Sequence, residues 1–305
     1  MAIMLNNQAG DNQLWAEVLA SHLPELDIHV YPNVPDKNLV HYAVVWNHPH
    51  GDLLTYPNLK AVLVLGAGMD HIDKEPALPK APIVRLVDPA VGDEMSQYVL
   101  YWCMHFQRNY ERYRQQASQR IWQRHMTPLS QNYRVTVLGA GEIGAFIAQR
   151  LASTGFAAQS WNRSAKLIDG VSCFHGDDGL IDVLSKTDVL VNCLPLKPAT
   201  KHFINAERLA LLPKGSSIIN LSRGAVIDDQ ALLKALDSKQ ISNAALDTFV
   251  NEPLSQASEY WGYDNVYITP HMSGSTYPKL AAKVISDNIK RVEAGELPFP
   301  IYTPT

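Results

Sequence analysis

Cysteine is scarce in this chain: three among 305 residues, Cys103, Cys173 and Cys193, none close to another. An odd, dispersed set excludes a disulfide framework and a zinc site, and fits a reducing compartment. Charge of either sign is also in short supply. Charged residues make up 18% and the net charge is −4, which removes any electrostatic case for nucleic acid or an anionic membrane as partner. An anionic substrate would have to be met by a local basic group. No apolar run reaches the ~20 residues that a membrane helix needs. The stretch MAIMLNNQAGDNQLW has no basic segment leading into an apolar one, so no signal peptide is expected. Internal repeats and low-complexity tracts are absent too. A cytoplasmic protein is the expectation.

Hydrophobic residues make up 46%, enough core for two ordinary domains. Short β-branched runs alternate with helical patterns. The first series reads Ala2–Leu5, Ile28–Tyr31, Tyr42–Trp46, Ala61–Leu65 and Ile83–Val87, with an amphipathic helix over Asn12–Ser21. A long helix over Asp93–Gln116 follows, then a polar segment dotted with aromatics. The second series is Val135–Leu138, Ala157–Trp161, Asp188–Leu194, Ser217–Leu221, Ala244–Phe249 and Val266–Thr269. Asn205 and Asp228 are candidate helix caps. A final helix, Pro278–Gly295, is expected to pack back on the first series. This alternation predicts an α/β chain of doubly wound parallel sheets, whose strands are apolar throughout because both faces are covered.

The sharpest local pattern is Gly139-Ala140-Gly141-Glu142-Ile143-Gly144, between the strand RVTVL and the helical AFIAQRLAS. In that context a GxGxxG run has a definite use. Gly139 permits the strand-to-helix turn, Gly141 lets a pyrophosphate approach the backbone, and Gly144 lets helix and strand pack closely. The helix start then offers unpaired N–H groups to the phosphates. The next strand ordinarily ends in an acid that holds the adenosine ribose. Here that place reads Asn162-Arg163-Ser164, a guanidinium between short polar groups with no carboxylate. The planar fork of Arg suits a phosphate, so NADP is favoured, with NAD left as the alternative.

Three further strands are followed by Asn220-Leu221-Ser222-Arg223-Gly224, by Asp247-Thr248-Phe249-Val250-Asn251-Glu252-Pro253, and by Pro270-His271-Met272-Ser273. Carboxyl ends of strands in a doubly wound sheet form the ligand crevice, which would gather Arg223, Glu252 and His271 around a nicotinamide. These types suit reduction of a 2-keto acid. Hydride reaching the carbonyl carbon leaves charge on oxygen, which needs a proton. Imidazole, with an ordinary pKa of ~6.5, can give one near neutrality. A neighbouring Glu would orient the ring and favour its charged form. Arg can hold the carboxylate or the keto oxygen. A second glycine turn, Leu65-Gly66-Ala67-Gly68-Met69-Asp70, could offer backbone N–H groups to a carboxylate.

At these residues the chain resembles the D-isomer-specific 2-hydroxyacid dehydrogenase family. The likeness rests on NCLPL at 192–196, INAERLALLPKGSSIINLSRGAVID, AALDTFVNEPL and PHMSGST. The VW-x-x-P segment around Trp46, the LGAGMD turn and WNRS look most like its glyoxylate/hydroxypyruvate reductase A branch. The resemblance implies that Arg223 binds and polarises the substrate and that His271 is the acid/base, paired with Glu252. It further implies that Asp247 holds the nicotinamide carboxamide, and that Leu194 and Pro195 line the nicotinamide face. Ala67, Gly68 and Met69 would present N–H groups to the substrate carboxylate. Also implied are a flavodoxin-like substrate domain from residues 1–95 plus 277–305, a Rossmann NAD(P)-binding domain over 96–276, and an active site in the cleft between them. A homodimer through the long helix and the arm after it is implied as well. Trp46 walls the substrate pocket or packs in the core; the residues leave both open.

Asn162 departs from the ribose acid of NAD-dependent members. The expected reaction is NADPH-preferring reduction of glyoxylate to glycolate and of hydroxypyruvate to D-glycerate. Alternatives are a dehydrogenase for a larger or phosphorylated 2-hydroxy acid, and a non-catalytic, dinucleotide-sensing protein like the corepressors of this fold. No catalytic metal is expected. His48 and His50 read as part of a loop before the next helix, and Asp70 to Glu75 reads as a solvated turn.

Overall fold

Apolar runs too continuous to alternate must be covered on both faces, and every pairing between the strands below is parallel. The computed structural model describes residues 1–8, 10–66 and 68–303. It divides into two compact units, Met1–Val91 with Ser275–Thr305, and Gly92–Gly274.

The first unit opens with β1 (Ala2–Asn7), α1 (Asn12–His22), β2 (Asp27–Val30), β3 (Val40–Trp46), β4 (Ala61–Val64), α2 (Asp70–Asp73) and β5 (Ile83–Val84). Its sheet order is β2-β1-β3-β4-β5, the flavodoxin-like order. Asp11 caps α1 by accepting from the backbone N–H groups of Gln13 and Leu14, an arrangement worth about 1 kcal/mol.

The boundary between units falls within α3 (Pro89–Arg108), which α4 (Tyr110–Ser118) follows. One helix over 93–116 was expected, and the differences have local causes. Asp88 accepts from Ala90 N at 2.9 Å, so Asp-Pro starts the helix four residues earlier, with Pro in the first turn where its missing N–H costs nothing. Asn109 then takes a left-handed φ of 52° and its side chain caps α4, as asparagine tolerates.

The second unit continues with β6 (Arg134–Leu138), α5 (Glu142–Ser153), β7 (Ala157–Asn162), β8 (Ser172–His175), α6 (Gly176–Leu184), β9 (Val189–Asn192), α7 (Ala206–Leu211), β10 (Ser216–Asn220), α8 (Asp229–Asp237), β11 (Ile241–Leu246) and β12 (Val266–Ile268). Its order, β12-β11-β10-β9-β6-β7-β8, is the Rossmann order with one strand added. Alternate residues feed two cores. Val135, Val137, Val191, Ile219 and Ala245 face one; Leu138, Leu190, Ile218, Ala244 and Leu246 face the other. β8 escapes sequence reading because it is a half-exposed edge strand, SCFH, with no apolar run.

The last helix, α9 (Pro278–Glu293), belongs to the first unit, where Ala281, Ala282, Ile285 and Ile289 share a core with Ile3, Leu5, Trp15 and Leu19. No helix among the described residues is long and apolar enough to cross a membrane.

Candidate active site

β6 is the strand from which the second sheet winds in both directions, with β7 on one side and β9 on the other. The carboxyl end of such a strand opens on a crevice. The chain leaves β6 through Gly139, at φ 88°. A Cβ on Gly144 would lie 2.0 Å from the Gly139 carbonyl oxygen, so helix and turn can touch only with glycine there. A Cβ on Gly141 would meet nothing within 4 Å. No side chain caps α5, so its first-turn N–H groups look out over open space, as a pyrophosphate requires. Glu142 is exposed and Ile143 half-buried beside them. These residues therefore fit a dinucleotide.

At the end of β7, Asn162 is pinned to that turn. Its Oδ1 accepts from Ala140 N at 2.8 Å, and its Nδ2 donates to Ala140 O at 3.4 Å. Arg163 and Ser164 are exposed beyond it. Lys166 Nζ donates to the same carbonyl at 2.6 Å, bringing a second cation to the segment after β7. Sequence reading passed over Lys166, although a lysine two places beyond Arg163-Ser164 was the available sign.

Two buried asparagines join β9 to β10. Asn192 Nδ2 donates to Asn220 Oδ1 at 2.9 Å. Asn192 Oδ1 accepts from Leu194 N, and Asn220 Nδ2 donates to Arg223 O. Ser222 Oγ donates to Leu194 O. The loops carrying Leu194 and Arg223 are thus tied together, Leu194 buried and Pro195 exposed. Arg223 Nη1 donates to Ser222 O at 2.7 Å. Gly224 permits the next contact: a Cβ there would come within 2.1 Å of Phe249 C, so the Arg223 turn lies directly on the turn leading to Glu252. Burial pushes the Cys193 thiol up to about 12, so it is no nucleophile beside this loop.

Asp247, wholly buried after β11, holds the turn that carries His271. Its Oδ1 accepts from Thr269 Oγ1 (2.6 Å) and Met272 N (2.9 Å), and its Oδ2 from Ser273 N (2.9 Å). His271 N donates to Asp247 O and Thr269 O. Because the one Thr269 hydroxyl proton goes to the carboxylate, Tyr98 OH must donate to Thr269 Oγ1, 2.9 Å away. Neither Thr269 nor Tyr98 was singled out by sequence. Glu252 bridges the two turns: Oε1 accepts from Phe249 N at 2.9 Å and Oε2 from His271 Nδ1 at 2.7 Å. Both side chains of the pair are more than a third exposed. A His–Glu pair so arranged leaves the far ring nitrogen for proton exchange, and Phe249 links it to the Arg223 turn.

In the first unit, Trp46 is half-buried and lies flat enough on Gly66 that a Cβ there would meet its ring at 2.4 Å. Gly68 is half-buried and Met69 buried; Ala67 lies outside the described residues. The segment Asp70–Glu75 is not the solvated turn expected. His71 is buried, and the Glu75 side chain has no exposed surface, being 2.8 Å from His48. The loops after β3 and β4 close over each other, which charge spacing along the sequence does not reveal.

Residues 100–273 match the family profile described as D-isomer specific 2-hydroxyacid dehydrogenase, NAD binding domain. The chain is 35% identical over 303 residues to glyoxylate/hydroxypyruvate reductase A of Photorhabdus laumondii subsp. laumondii, covering 97% of this chain and 96% of the relative. Among solved structures, a D-isomer specific 2-hydroxyacid dehydrogenase from Xanthobacter autotrophicus Py2 in complex with NADPH and MES superposes with a TM-score of 0.95 at 38% identity, over 99% of this chain and 98% of that one. An NADPH-dependent glyoxylate/hydroxypyruvate reductase from Sinorhizobium meliloti, in complex with NADP and sulfate, superposes at 0.93 with 31% identity, over 100% and 99%. With its two doubly wound sheets and its uncapped glycine turn, this chain belongs to the D-isomer-specific 2-hydroxyacid dehydrogenase family of NAD(P)-dependent oxidoreductases.

Proposed function

We propose that this enzyme reduces small 2-keto acids, glyoxylate to glycolate and hydroxypyruvate to D-glycerate, and prefers NADPH. The observation that carries the reading is the His271–Glu252 pair, 2.7 Å apart on a turn fixed by Asp247. Two relatives named for glyoxylate/hydroxypyruvate reduction support the substrate class.

Bound NADPH supplies the hydride. Protonated His271 gives its Nε2 proton to the developing alkoxide, while Glu252 holds the ring through Nδ1 and stabilises the imidazolium. Arg223 engages the substrate carboxylate and keto oxygen, and concentrates positive charge where negative charge grows. Asp247 spends three of its roughly four acceptor positions on the His271 turn, leaving one for the nicotinamide carboxamide. Leu194 and Pro195 line the nicotinamide face. Gly139, Gly141, Glu142, Ile143 and Gly144 take the pyrophosphate; Asn162, Arg163, Ser164 and Lys166 take the adenosine ribose and its 2′-phosphate. The unit built from both chain ends binds substrate through the Gly66–Met69 turn, with Trp46 as a wall that favours short acids. Ile121, Trp122, Met126 and Leu129 leave large apolar surface exposed on the arm after α4, which supports a homodimer formed through it.

Initial rates with glyoxylate and hydroxypyruvate, each with NADPH and NADH, test the reading. Rapid NADPH oxidation, slower with NADH, is expected. NADPH binding without turnover on either acid would leave the fold and remove the substrate assignment.

Asn162→Asp should raise the KM for NADPH by about ten-fold, a change of ~1.4 kcal/mol, and narrow the gap to NADH, because the new carboxylate would repel the 2′-phosphate. The new carboxylate can still accept from Ala140 N, so the glycine turn should hold. An unaltered ratio of the two cofactors in steady-state assays would mean that the 2′-phosphate is read elsewhere.

A further inference from the structure

We infer that His48 and Glu75 are positioning residues that fix Trp46, and that through it they set the largest acid the enzyme accepts; the inference rests on the function proposed above. Its starting point is a buried histidine–carboxylate pair that the chemistry does not use. His48 Nε2 stands 2.8 Å from Glu75 Oε1, and neither side chain has any exposed surface. Glu75 Oε2 accepts from Gly51 N at 2.8 Å. Burial pushes His48 below the usual imidazole range, with Glu75 pulling the other way. Desolvating two such groups commonly cancels their attraction, and apolar residues of similar volume often serve stability as well or better. Stability alone therefore gives no reason for the pair.

What the pair supplies is position. The His48 ring meets His71 edge-on, centroids 5.6 Å apart at 84°. His71 meets Trp46 at 4.9 Å and 63°, and Trp46 lies on Gly66, where a Cβ would reach 2.4 Å from its ring. Glu75, His48, His71, Trp46 and Gly66 form one continuous column. It runs from a buried carboxylate to the first glycine of the turn assigned to the substrate. The Glu75 carboxylate, held by Gly51 N, stands 2.8 Å from Nε2 and limits where the His48 ring can sit. The edge-to-face contacts carry that placement through His71 to Trp46. The groups assigned to proton donation and carbonyl polarisation, His271, Glu252 and Arg223, belong to the other unit.

The test is the paired replacement His48→Leu with Glu75→Met, which removes the close polar contact and keeps the volume. Parent and variant are assayed with NADPH on glyoxylate and on phenylpyruvate, and melted in parallel. The expected result is a fall of about ten-fold or more in the glyoxylate-to-phenylpyruvate ratio of kcat/KM. The change should lie in KM, with kcat on glyoxylate and the KM for NADPH near the parent's and a melting temperature no lower. Glu75→Gln, which still offers His48 an oxygen, should restore most of the ratio. An unchanged ratio in a folded double variant overturns the inference; should that variant not fold, the same ratio in His48→Gln decides, and there too an unchanged value overturns it. A parent without turnover on any keto acid overturns the proposed function itself, and this inference with it.

Discussion

Replacing His271 by asparagine lowers turnover on glyoxylate by about 10²–10⁴-fold, the span of a lost general acid, and leaves the KM for NADPH nearly unchanged. Asparagine is the right replacement for a structural reason. His271 sits at φ 51°, a left-handed conformation that asparagine adopts more readily than most residues. Its backbone N–H still reaches Asp247 O and Thr269 O, and the Asp247 carboxylate still holds Met272 and Ser273. Its side-chain amide can donate to Glu252 but cannot release a proton to an alkoxide. The turn therefore survives while the acid is lost. Steady-state rates of parent and variant on glyoxylate check the statement. A variant as fast as its parent would remove His271 from the acid/base role.

How much of this was legible in the sequence depended on whether the signal was local. The glycine turn was, because Gly139, Gly141 and Gly144 answer to constraints within six residues, two of which the geometry displays: a positive φ at 139 and a 2.0 Å clash at 144. Arg223, Glu252 and His271 were legible as residues that follow strands, since strand ends in a doubly wound sheet converge. What holds them was not. The Asn192–Asn220 bond, Gly224 lying on Phe249, and the line from Tyr98 through Thr269 to Asp247 join segments far apart in the chain. None follows from periodicity or spacing. Asp247 shows the gap best: its place at a strand end was visible, but its engagement with the His271 turn appears only once β11 and β12 are adjacent. The break between α3 and α4 was hidden for the opposite reason. The helical pattern runs through it, and one left-handed asparagine interrupts the backbone without altering the pattern. Similarly, Glu75 reads as part of a solvated turn because glutamates are mostly exposed; only the closing of two loops removes its side chain and that of His48 from water.

Arg223→Ala carries the second large effect, and its signature differs from that of His271→Asn. The arginine is assigned two tasks, holding the substrate carboxylate and drawing charge toward the keto oxygen. Hydrogen bonds to charged groups are worth about 1.5–3 kcal/mol each. Losing two should lower kcat/KM on glyoxylate by about 10²–10⁴-fold, since each 1.4 kcal/mol is a factor of ten. The loss should be shared, with KM raised and kcat lowered, because one contact exists in the ground state and the other strengthens as charge develops. The replacement removes the bond from Arg223 Nη1 to Ser222 O, but other ties on the turn remain. Asn220 Nδ2 bonds the Arg223 carbonyl rather than its side chain, and Gly224 still seats the turn on Phe249. NADPH affinity, assigned above to the turn after β6 and the segment after β7, should be little altered. Arg223→Lys should recover only part of the loss, because an ammonium is a point charge and cannot hold carboxylate and carbonyl with one planar fork. A variant in which KM alone rises would restrict Arg223 to clamping the carboxylate and leave His271 as the sole group acting on the carbonyl oxygen. A variant in which neither constant moves would place the substrate on other residues altogether.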